Sequence, residues 1–187
     1  MKETDLRVVK TKEALKEAMV ELLKEKTLKS ISITEVCRKA KVNRGTFYSH
    51  YGQVEDLFED YFKDIMKDLT DSYLEPYKHV PKLETKQLNP ATIRIFHHIA
   101  NYEQFYNIVF SHAAPMSYYY LLFDHIQQLM ENDFGLRHVA GEDMNMISAY
   151  QANAIIGLAI EWHRQNFRQT ANEMNEILVR LLKYMMA

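Results

Sequence analysis

The sequence predicts an all-α fold. An N-terminal three-helix helix-turn-helix head precedes a helical body, with about nine helices in all. Three observations predict this. Apolar residues recur three and four apart along most of the chain. Only five glycines and four prolines interrupt its 187 residues. No alternating apolar run with hairpin turn chemistry occurs. With 47% hydrophobic residues the chain can bury a substantial core.

The first helix shows its inner face at Leu15, Ala18, Met19, Leu22 and Leu23 and ends near Lys26 and Thr27. Asp5 and Thr11 are both placed to cap its start. Two short helices of about two turns follow in "SITEVCRKA" and "VNRGTFYSHY". Thr34 is the expected cap of the one and Asn43 of the other. Val36, Cys37 and Ala40 face inward, as do Phe47 and Tyr51, while Lys41 and Val42 form the turn. Gly52 breaks the run before a long amphipathic helix with Leu57, Phe58, Tyr61, Ile65, Leu69 and Tyr73 on one face, stopped by Pro76. Residues Lys78 to Asn89 read as a solvated loop. Pro90 opens a helix through "ATIRIFHHIA", another covers "YEQFYNIVF", and Pro115 opens a third that ends at Gly135. A loop through Gly141 leads into helices from Glu142 to Phe167 and from Ala171 to Met186. The expected division is 1–52 for the head and 53–187 for the body, with 53–76 as the connecting helix.

The net charge of -2 hides an asymmetry. Residues 1–52 carry nine Lys and three Arg against seven Asp and Glu, net +5; the remainder is net -7. A basic quarter on an acidic remainder suits a small polyanion-binding head, or an ordinary fluctuation in a charged helical segment. No run of 18 uncharged apolar residues exists and no secretory signal is apparent, so no membrane is expected as a partner. The single cysteine, Cys37, excludes an internal disulfide and suits a reducing cytoplasm.

Reading DNA requires a short helix in the major groove and neighbours that clamp phosphates. In "NRGTFYSHY" the residues Arg44, Thr46, Ser49 and His50 can face outward while Phe47 and Tyr51 anchor the back. Gly45 permits close approach to the duplex, and Tyr48 offers a hydroxyl on a rigid ring. The helix amides next to Thr34 could hold a phosphate.

The stretch "ISITEVCRKAKVNRGTFYSHYGQVEDLF" resembles the DNA-binding domain of the TetR family of bacterial transcriptional regulators, over residues 7 to about 60. The resemblance implies that Arg44 and Thr46 read bases, while Thr34, Asn43, Tyr48 and His50 hold phosphates. Relatives carry a phosphate-contacting lysine at the start of the fourth helix, where this chain has Val54. Lys39 and Lys41 are placed to compensate.

The fragment "AIIGLAIEWHRQNFRQTANEMNEILVRLL" resembles the effector-binding and dimerisation body of the same family, in a variant common in Firmicutes regulators. Ala149, Ala152 and Gly157 let helices approach closely, and Ile156, Ile160, Ile177, Leu178 and Leu181 supply an apolar seam. Two such helices per subunit imply a two-fold homodimer interface. His97, Tyr102, Phe105, Tyr106, Phe110, Tyr119, Phe123 and Trp162 either line a pocket for a hydrophobic small-molecule effector or fill a core.

Enzymatic signals are absent. His97 and His98 are adjacent and diverge on a helix, which is poor geometry for one metal. His112 and His125 have no ligand partner at helical spacing. Phosphate loops, nucleophile elbows and zinc motifs are missing, so no cofactor is expected. The resemblance to the TetR family implies a cytoplasmic homodimeric repressor that binds double-stranded DNA at a palindromic operator and is released by an unidentified small molecule. The alternative within the same resemblance is an activator or coregulator controlled by a protein partner, docking at Tyr118 to Tyr120.

Overall fold

The structure, a computed structural model, describes residues 3–75, 89–111, 115–136 and 143–184. The expected loops before Asn89 and at Gly141, together with His112 and Met186, lie largely or wholly outside the described residues. Among the described residues there are nine α-helices and no strand. The chain divides into two compact units, residues 1–65 and 66–187. The division falls inside the fourth helix, because its first half carries the buried Val54, Leu57, Phe58, Phe62 and Ile65.

In the first unit, α1 runs Glu3–Leu23, α2 Ile33–Ala40 and α3 Arg44–Tyr48, and α4, Val54–Leu74, begins there. Leu15, Ala18, Met19, Leu22 and Leu23 are all buried, as their spacing requires. Helix α1 is already formed at Glu3, so neither Asp5 nor Thr11 caps it. The Thr11 hydroxyl instead donates to the Arg7 carbonyl within the helix.

The cap of α2 is Ser32, not Thr34. Ser32 accepts from the Glu35 amide, and the Glu35 carboxylate accepts from the Ser32 amide, which closes a capping box. Thr34 sits exposed inside the first turn. Helix α2 stops at Lys41, whose left-handed φ of 57° lets the Lys41 and Val42 amides close on the Arg38 and Cys37 carbonyls. Val36 and Cys37 face α1, which packs against α2.

In the second unit, Asn89 caps a single turn at Pro90–Thr92, so Pro90 opens this turn and α5 starts only at Ile95. Helices α5 (Ile95–Asn101) and α6 (Glu103–Val109) are short; α7 (Met116–Leu136), α8 (Met144–Arg164) and α9 (Ala171–Tyr184) are longer. Helices α7 and α8 pair antiparallel. The Tyr119 hydroxyl donates to Asn153 at 2.6 Å, and Gln127 and Glu131 meet Ser148. Helix α9 lies across α5 and the Pro90 turn, where Asn175 donates to the Ile93 carbonyl at 3.0 Å.

Trp162 is a core residue. Its indole N–H donates to the Gln169 carbonyl, and its ring meets Phe96 and Phe167 edge-on. The turn after α8 places Asn166 and Phe167 at φ of 52° and 50°. Only Asn adopts that region at modest cost, so the Trp162 contact offsets strain at Phe167.

Candidate nucleic-acid interface

Helix α3 is one and a half turns long and cannot persist by its own hydrogen bonds. Asn43 starts it, its side-chain oxygen accepting from both the Thr46 amide (2.8 Å) and the Thr46 hydroxyl (2.9 Å). Phe47 is fully buried and fixes the inner face. The outer face carries Arg44, Gly45 and Tyr48, and Tyr48 is 51% exposed.

These bonds constrain what each side chain can do. The Thr46 proton is committed to Asn43, so its hydroxyl faces a ligand only as an acceptor, suited to a base amino group. Arg44 donates to the Tyr48 hydroxyl at 3.3 Å and lies 5.9 Å from the ring centroid. With that hydroxyl accepting from Arg44, its own proton is free for a phosphate oxygen. A Cβ at Gly45 would make only an ordinary contact with Asn43, so nothing inside the unit demands glycine there.

The other expected residues scatter. The Ser49 hydroxyl donates back to the Thr46 carbonyl. His50 is half-buried against Tyr51. Lys41 is exposed, and Lys39 lies 3.9 Å from Glu21, which weakens it as a free cation. Val54, at the position where the family resemblance implies a phosphate-binding lysine, is 4% exposed and fills core. Cys37 is buried, which raises its thiol above the ordinary range and leaves it inert.

In the second unit the expected pocket residues part company. Phe105, Tyr106 and Trp162 are core, and Tyr102, Phe110, Tyr119 and Phe123 are half-buried among other rings. A cleft of about 250 Å³ opens elsewhere. It is lined by Asp68, Asp71 and Ser72 of α4 and Glu75 just past its end, with Arg94, His97, His98 and Asn101 at α5. Of the expected set only His97 reaches it.

Behind the cleft His98 is buried between Asp68 (2.6 Å) and the Tyr106 hydroxyl (2.9 Å). Burial outweighs the pull of Asp68 and lowers the His98 pKa; burial likewise raises the Tyr106 phenol. The neutral ring then donates to Asp68 and accepts from Tyr106.

The expected dimer residues divide too. Ala152, Ile156 and Leu178 are buried in their own chain, because α7 and α5 cover those faces. Gly157 and Leu181 are exposed, and Ala149, Ile160 and Ile177 are half-exposed. Exposed apolar residues of α8 are instead Met146 (75% exposed), Ile147 and Tyr150 (59%), beside the exposed Gly157.

A capped helix pair joined by a tight turn, with a polar outer face on the second helix, defines a helix-turn-helix regulator. A family described as Transcriptional regulator C-terminal region, TetR type, matches residues 86–184. The chain belongs to the TetR family of transcriptional regulators, which are DNA-binding proteins and not enzymes.

A curated Bacillus subtilis relative, the HTH-type transcriptional regulator YxbF, is 42% identical over 59 residues. That stretch is 31% of this chain and 16% of YxbF, so the chain spans only a small part of that relative. Among solved structures, a TetR-family protein of Syntrophomonas wolfei superposes with a TM-score of 0.72 at 17% identity, covering 94% of both chains. The dihydroxyacetone kinase operon activator DhaS gives 0.67 at 16%, covering 94% of this chain and 95% of its own. A TetR regulator of Streptococcus agalactiae gives 0.58 at 22%, covering 96% and 97%. These likenesses establish the fold. No helix among the described residues is long and apolar enough to cross a membrane.

Proposed function

We propose that the protein is a cytoplasmic homodimeric repressor that reads a palindromic operator with α3 and is released by a small-molecule effector in its body. The supporting observation is the division of labour on α3, where Phe47 is fully buried while Arg44, Gly45 and Tyr48 stand outward. Arg44 and Thr46 read bases; Asn43, Tyr48, Ser49, His50, Lys39, Lys41 and the amides near Thr34 serve the backbone. With Val54 buried, each subunit makes one phosphate contact fewer than a lysine-bearing relative, which flattens the salt dependence.

Residues 1–52 act as the reading domain and 53–187 as the effector and dimerisation domain. Helix α4 carries residues of both units, so an effector that favours one setting of α4 would change head spacing. Half-sites about one duplex turn apart or more, at roughly 34–36 Å per turn, are required. Effector coupling of about 1–3 kcal/mol is the expected scale. Dimerisation uses the exposed positions of α8 and α9, Met146, Gly157, Ile177 and Leu181.

The test is a gel shift on duplexes selected by the wild type. Thr46→Ala and Tyr48→Ala should each weaken binding at least tenfold; unchanged sequence-specific affinity in both would overturn the assignment.

A second reading, an activator governed by a protein partner, draws on exposed Met116, Tyr120 and Leu121 at the start of α7. A stoichiometric co-purifying protein and DNA binding insensitive to small molecules would favour it.

A further inference from the structure

Helix α3 is five residues long, so its direction depends on what its ends grip. Asn43 fixes the start. Phe47 gives apolar contact, which holds distance better than angle. Just past the far end, Tyr51 is 6% exposed and its hydroxyl donates to Asp60 Oδ2 at 2.7 Å.

That oxygen also receives Lys16 Nζ at 2.9 Å and Lys12 Nζ at 3.4 Å, and Lys16 reaches Asp64 at 2.5 Å. Lys12 sits 5.3 Å from the centroid of the Tyr51 ring. Lys12 and Lys16 are one turn apart on α1, and Asp60 and Asp64 one turn apart on α4. Tyr51 is therefore plugged into a ladder of charges that ties α1 to α4. Burial opposes ionisation of Asp60. The Lys16 and Tyr51 hydrogen bonds and the charges of Lys16 and Lys12 offset it and hold the carboxyl at about 2. Asp60 stays ionised at physiological pH, and burial with Asp60 keeps the Tyr51 phenol protonated as the donor.

We propose that Asp60 is a positioning residue for DNA reading: through Tyr51 it fixes the angle at which α3 meets α1 and α4, and so the register of Arg44 and Thr46 on base edges. This rests on the DNA-reading function proposed above. A hydroxyl bonded to a carboxylate is directional and charge-assisted. Without it Phe47 keeps α3 in place but lets it turn. Base contacts need angular register, whereas phosphate contacts tolerate small rotations.

The experiment uses the full-length chain. The wild type selects duplexes from a random-sequence library, and the enriched duplex and a scrambled one are titrated over a range of salt. Asp60→Asn and Tyr51→Phe should each lose about tenfold on the enriched duplex. Both should keep wild-type affinity for the scrambled duplex and the wild-type salt slope. The double variant should lose no more than the weaker single variant. Should Asp60→Asn fail to fold, Tyr51→Phe removes only the hydroxyl and carries the test. Tyr51→Phe with undiminished preference for the enriched duplex would overturn the inference alone. So would equal losses on both duplexes together with a lowered unfolding midpoint. A wild type that enriches no sequence would overturn the DNA reading and this inference together.

Discussion

Ser32 and Thr34 lie two residues apart at the entry to α2, and either hydroxyl is a credible cap by type. Only Ser32 has the extended backbone, with φ of -95° and ψ of 151°, that aims its oxygen at the Glu35 amide. Glu35 answers from the other side. The Lys26 ammonium and the Ser32 amide and hydroxyl hold its carboxyl at about 2. Ser32→Ala should therefore cost about 1 kcal/mol of stability, and Thr34→Ala only a few tenths. Urea unfolding of the two variants side by side checks the assignment, and equal losses would contradict it. The Ser-x-x-Glu spacing of this box stood in the sequence, and so did Asn43 at the start of α3. Caps are legible because their partners lie three residues away. Asp60 was not, because nothing local marks its partnership with Tyr51 and Lys16.

At the level of elements, α4 buries apolar residues along both halves, Val54 to Ile65 on the head side and Met66 and Leu69 on the body side, where Asp68 and Thr70 add polar contacts. Val54 belongs to the first half. Because it is buried, Val54→Lys should lower stability by about 2 kcal/mol, read as a fall in melting temperature. Family resemblance alone marks Val54 as a missing contact, whereas packing shows it as a gained one. On the other half, His98 of α5 binds Asp68, and His125 of α7 meets the Thr70 hydroxyl at 2.9 Å. Burial lowers both histidines below their ordinary value of 6.5. A base whose folded pKa is depressed stabilises the fold above its unfolded value. That contribution fades as pH falls through the folded values. The urea midpoint should accordingly drop as pH falls below about 6.5. His98→Gln, which can still donate to Asp68 but does not titrate, should flatten the drop; an unaltered profile would exclude His98 as a source.

For the whole molecule, the proposed dimer requires a surface that a second copy can cover. Period and residue size pointed to Ala152, Ile156 and Leu178, yet these are buried within one chain. A seam of small and apolar residues looks the same in sequence whether a helix of its own chain or of another fills it. Gly157 tests the exposed face, because an added Cβ there meets nothing within 4 Å among the described residues. Gly157→Leu should leave the far-UV circular dichroism unchanged and shift sedimentation from dimer towards monomer. A dimer of wild-type affinity would place the interface elsewhere. The aromatic-rich middle shows the same limit. Phe105, Tyr106 and Trp162 went to the core, while the described cleft is lined mostly by polar side chains of α4 and α5.

The sequence by itself determined the helical class, the positions of the helices, the helix-turn-helix with its Asn43 cap, and the family. All of these rest on interactions spanning a few residues or on a repeating period. Only the tertiary structure decided that Val54 is core, that Asp60 grips Tyr51, and that Ala152 and Ile156 are already covered. Each of those depends on which side chain of a distant helix stands opposite, and a period records that a face is apolar without recording what lies against it.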